Sequence, residues 1–273
     1  MKNNNFVNRN VKGDAIKYSI LAFLIMFVFL MAEFIASKAG LFGNELKSYV
    51  VDSIFRIIFG AIGLIILVKV CHENLKEVCT NKIPKVIWLL LIPVYVYFIS
   101  YFTEISMVEI VSGKYWVLFL GSVLQQITTG LFEETVSRGI VMSAFRSHYE
   151  NFKWRFSAVI ISGVGFGLGH IFNFLFGGSV GDSLIQAFTS ACWGMFIAAL
   201  YMVSNNLILV MAIHTIWDIW IRIPDFFFGL SEEVTVIASA GQVLRDVIDP
   251  FLLGILAIVI CIKYDAIKNT LNK

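Results

Sequence analysis

The chain has 273 residues, 58% of them hydrophobic and only 15% charged, with mean hydropathy +0.81 and net charge +2. A soluble domain averages about 45–50% apolar and about 25% charged residues. This balance excludes a soluble enzyme, a disordered chain and a nucleic-acid binder.

The expected fold is therefore all-α: a polytopic membrane helix bundle, one membrane domain over 1–273. A membrane helix needs about 20 mostly apolar residues. Eight stretches qualify in chain order, at 17–36, 53–70, 86–102, 116–145, 156–176, 184–203, 205–223 and 247–263. The first, with its apolar run from Ile20 to Ala36, lacks a small-residue cleavage site and reads as a retained span. Pro93 interrupts the third. The fourth is long and carries Gln125, Gln126, Glu133, Glu134 and Arg138. Only Ser204, Asn205 and Asn206 separate the sixth from the seventh, which predicts a tight turn. The connection 224–246 is the longest polar one and is expected to hold a short surface helix. No repeat or low-complexity tract appears. Cys71, Cys79, Cys192 and Cys261 form no C-x-x-C pair and suggest neither disulfides nor thiolate metal sites.

Lys and Arg in the connections orient such a bundle. With both termini in the cytoplasm, fourteen lie on that side. Six lie outside: Lys38, Lys47, Arg56, Lys114, Arg222 and Arg245. Arg138 is the one left in a span. Trp88, Trp116 and Trp154 near span ends fit an interfacial aromatic belt.

Ionisable groups inside spans are costly and mark functional sites by default. Glu133, His170, His214 and Asp218 fall about 14 to 21 Å from the cytoplasmic ends of their spans, at about 1.5 Å per helical residue. Three helices thus bring costly side chains to one level, and this predicts a shared polar cavity. Glu134 and Arg138 are spaced i,i+4 and are expected to form a structural ion pair. Glu133 is offset by about 100° from that pair and faces elsewhere. His214 and Asp218 share a face. A carboxylate opposite two imidazoles suits hydrolysis. The same groups are zinc ligands, so a metal site with Glu133, His170 and His214 stays open. Phe166 reads as packing. Gln125, Gln126, Thr128 and Thr129 read as interhelical glue, and His72 and His148 as ordinary loop residues.

Glu133-Glu134-Thr-Val-Ser-Arg138, Phe166-Gly-Leu-Gly-His170 and His214-Thr-Ile-Trp-Asp218 resemble three motifs of one family, E-E-x-x-x-R, F-x-x-x-H and H-x-x-x-N/D. That family comprises the CAAX-protease and bacteriocin-processing intramembrane proteases, also called CPBP or Abi proteins, which include type II CAAX prenyl endopeptidases. The motifs occur in the family's order, within a core of about residues 120–222. The resemblance implies that Glu133 and His170 activate a water that enters from the cytoplasmic side. It implies that His214 and Asp218 stabilise the oxyanion or help hold zinc or another divalent metal. Position 218 is Asp, where eukaryotic relatives carry Asn, so Asp218 either bears a proton or orients His214. The implied activity is cleavage of a membrane-associated peptide or membrane protein. Two other readings remain: a non-catalytic immunity or scaffold protein, and an ion-coupled transporter. A wealth of Ile, Phe, Lys and Asn suggests a low-GC bacterium and hence its plasma membrane.

Overall fold

The computed structural model describes residues 10–103, 116–227 and 240–271. These residues form helices and connections, with no strand among them. In order they are α1 (Val11–Lys38), α2 (Glu45–Lys69), α3 (Leu75–Cys79), α4 (Val86–Leu90), α5 (Ile92–Thr103), α6 (Trp116–Glu134), α7 (Val141–Ser143), α8 (Phe152–His170), α9 (Val180–Ser204), α10 (Leu207–Phe227) and α11 (Ala240–Leu271). A π-helical turn, Thr135–Ile140, joins α6 to α7.

The protein is a multi-pass membrane helix bundle. All eight predicted spans fall on helices. Among the described residues, five helical stretches are long and apolar enough to cross a bilayer: Val11–Lys38, Glu45–Lys69, Phe152–Phe176, Val180–Ser204 and Val247–Thr270. Ile20, Phe23, Ile54, Ile58, Leu120 and Leu252 are exposed. In water that surface would be unfavourable; against lipid tails it carries no penalty.

Several sequence expectations change in detail. Pro93 does not interrupt one long span. The helix breaks at Leu91, and Pro93 falls in the first turn of α5, where its missing N–H costs nothing. Residues 228–239 of the connection expected to hold a surface helix lie outside the described residues. The rest of it, 224–227 and 240–246, continues α10 and begins α11. The Ser204–Asn206 turn is as tight as expected. Asn205 takes the left-handed conformation that ends α9, and Asn206 Oδ1 accepts from Leu209 N to cap α10.

Helices approach closely where glycine removes side chains, as in other membrane bundles. Gly163 and Gly167, one turn apart on α8, meet α9 backbone. A Cβ at Gly167 would sit 2.3 Å from Ala187 O, and one at Gly163 would sit 2.6 Å from Met195 N. Gly167→Ala is therefore expected to destabilise the bundle by about 1–3 kcal/mol, the usual cost of overpacking. Gly165→Ala on the same helix has nothing within 4 Å and should be neutral. Thermal unfolding of the two purified variants checks this; equal loss, or none, would contradict the close α8–α9 contact.

Candidate active site

Glu133 and Glu134 end α6, just before the π turn. Such turns shift the helix face by one residue and recur at functional sites. Arg138 lies within it. Arg138 Nη1 is 3.0 Å from Glu134 Oε1, and both side chains are 0% exposed. Arg138 Nη2 donates to Gly194 O at 3.0 Å, and the guanidinium lies 4.7 Å from the Phe166 ring centroid. Gly194 makes this reach available, because a Cβ there would be 3.2 Å from Arg138 Nη2.

Glu134 has a second partner that its spacing does not reveal. His214 Nδ1 lies 2.7 Å from Glu134 Oε1. An ionised carboxylate only accepts, so Nδ1–H is the donor. The imidazole is thereby turned so that Nε2 faces the cavity. It lies 3.4 Å from Asp218 Oδ2 and 3.7 Å from Glu133 Oε2. With its amide set to satisfy both neighbours, Gln126 donates to Asp218 Oδ2 at 3.2 Å and accepts from Arg222 Nε at 3.0 Å.

Phe166 packs against both imidazoles, edge-on at 5.1 Å from His170 and 5.7 Å from His214. Glu133, His170, His214 and Asp218, read from the sequence as one set, line a single cavity of about 820 Å³. Tyr97, Trp217 and Trp193 stack along one wall, with centroids 4.5 and 4.2 Å apart.

Sequence reasoning missed a second group. Glu133 does not stand alone: Arg56 Nη1 donates to its Oε1 at 3.4 Å. Arg56 Nε also donates to Asp52 Oδ1 at 2.9 Å, and its Nη2 is 4.0 Å from Glu33 Oε1. Gln125 of α6 donates to Asp52. Arg56 therefore belongs inside α2 and in the cavity, not in an outer connection. Arg138 is not the lone intramembrane arginine. Arg222 also lines the cavity from within α10. Two signals pointed this way: the i,i+4 spacing of Asp52 and Arg56, and Glu33 in the first span. Gln125 and Gln126 do bridge helices. Thr128 and Thr129 do not, because their hydroxyls donate to Gln125 O on their own helix.

The cavity reaches the surface at Ser37 and Gln186, both exposed, beside the half-buried Phe42, Ser48 and Asn173, and these form its rim. These residues lie at the α1–α2 and α8–α9 connections. Water entry was expected at the end holding the chain termini; the rim is at the opposite end. Among the described residues, no group of three or more His, Cys, Asp or Glu is arranged to hold a metal. His214 Nδ1 is committed to Glu134, which leaves Nε2, beside Glu133 and Asp218, as its one ring atom able to meet a metal.

Residues 115–220 match the family model described as type II CAAX prenyl endopeptidase Rce1-like. The matched segment contains all three motifs and all four cavity residues read from them. No curated protein and no solved structure matches the chain.

Proposed function

We propose, from the match of residues 115–220 to the Rce1-like model and from the multi-pass helix bundle, that the chain is an intramembrane endopeptidase working through Glu133. The observation that carries this is the convergence of Glu133, His170, His214 and Asp218, from three helices, on one cavity. Glu133 takes a proton from a water held between it and His170, and the water oxygen attacks the peptide carbonyl. His214, as an imidazolium whose Nδ1–H is held by Glu134, points Nε2–H at the oxygen where negative charge develops. Donors preset in this way stabilise the transition state by several kcal/mol, because they are already aimed and do not reorganise during the reaction. Glu133 then passes its proton to the leaving amine. Asp218 and Glu134 hold His214 in orientation, and Arg56 aims Glu133.

The substrate is a membrane-associated peptide or membrane protein, and the bilayer itself is the medium. A bacterial plasma membrane is the proposed location, with both termini cytoplasmic. The test is hydrolysis of reporter peptides by purified protein in detergent or vesicles. No step above runs through a metal. Cleavage is therefore expected to persist after exhaustive chelation, with no stoichiometric zinc in the purified protein. Activity that vanishes with the chelator and returns with zinc would overturn this chemistry. A scaffold or transporter would show no hydrolysis at all.

A further inference from the structure

The two ends of the bundle differ in charge. One end collects the start of α1, the α2–α4 connections, the α7–α8 connection and the end of α11. Contacts tie these together: Tyr18 Oη donates to Val70 O, Arg146 pairs with Glu73, and Arg155 Nη2 lies 3.0 Å from Asp265 Oδ2. Asn205 Nδ2 adds the α9–α10 turn by donating to Glu77 O. Among the described residues, eleven Lys and Arg lie at this end, from Lys12 to Lys268. Among the described residues the other end has Lys38, Lys47 and Arg245. Arg56 and Arg222, which resemble outer charges in the sequence, are cavity residues and leave the tally. The imbalance is therefore sharper than the sequence alone suggests. It places the termini end in the cytoplasm, because positively charged connections are retained there.

The cavity rim is at the poorly charged end. We infer that the cavity opens to the extracytoplasmic face, and that the occupant is a peptide segment that has already crossed the membrane. One wall of the lining suits an apolar side chain of such a peptide. Arg56 is matched to carboxylates of the protein itself, and the stacked Tyr97–Trp217–Trp193 wall offers an apolar seat. The word substrate here rests on the peptidase reading; the direction of opening does not.

Thiol accessibility tests the direction. Cys71, Cys192 and Cys261 are buried and Cys79 is half-buried, so Cys79→Ser supplies a quiet background. Ser37→Cys and, independently, Gln186→Cys report the rim, while Lys153→Cys reports the opposite end. A membrane-impermeant maleimide added to intact expressing cells should label both rim cysteines. It should leave Lys153→Cys unlabelled until the membrane is permeabilised. Labelling of Lys153→Cys in intact cells, with the rim positions protected, would overturn the inference. The readout needs no turnover. A reversed pattern therefore counts against the direction alone, and unchanged cleavage by Glu133→Gln counts against the peptidase reading alone.

Discussion

Glu133→Gln is expected to abolish peptide cleavage while the protein still accumulates in the membrane. The amide has the size of the carboxylate but cannot accept a proton, and loss of a positioned general base costs about 10²–10⁴-fold in rate. The surroundings of Glu133 predict that the fold survives. Arg56 retains Asp52 at 2.9 Å when the charge at position 133 is removed, so no cation is orphaned. His214 likewise retains Glu134 and Asp218. Single-turnover assays on reporter peptide, beside thermal unfolding of the same preparation, separate the two effects. Wild-type cleavage by Glu133→Gln would remove the catalytic assignment; loss of folded protein would make Glu133 a structural partner of Arg56.

The adjacent residue is expected to behave in the opposite order. Glu134→Gln leaves Arg138 wholly buried beside an uncharged neighbour. Removing one partner of a buried pair costs about 3–5 kcal/mol. Lower abundance and a lower Tm should appear before any specific kinetic defect. The double variant Glu134→Gln with Arg138→Met removes the orphan charge and should recover part of that stability. It should not recover full activity, because Glu134 also holds the Nδ1 proton of His214 at 2.7 Å. Glu134 thus links the structural pair to the site, and the double variant separates its two tasks. A Glu134→Gln protein as stable as wild type would remove the ion pair. A double variant as active as wild type would remove the orienting role.

Much of the site was legible because hydrocarbon makes polar residues conspicuous. Glu133, His170, His214 and Asp218 stand out in apolar runs, and helical rise alone put them at one level. The i,i+4 rule paired Glu134 with Arg138, and the atoms are 3.0 Å apart. The same rule applied to Asp52 and Arg56, but a span boundary drawn at 53 moved Arg56 toward solvent. Its partner Glu133 is 77 residues away. The contact between His214 and Glu134, 80 residues apart, was equally hidden.

Composition and hydropathy by themselves determined that this chain is a helical membrane protein, roughly where its helices run, and which costly side chains stand in apolar runs. These are properties of single segments, decided by the transfer of each stretch from water to lipid. Which helix faces met was decided only by the tertiary structure. Glycine surfaces at Gly130, Gly163 and Gly167 set α6 against α10 and α8 against α9. That packing placed α2 behind Glu133, turned His214 onto Glu134 and left the cavity open at the end with few positive charges. No periodicity along one helix specifies its neighbours, because lipid solvates every apolar face almost equally. Close packing and the pairing of buried charges choose among them.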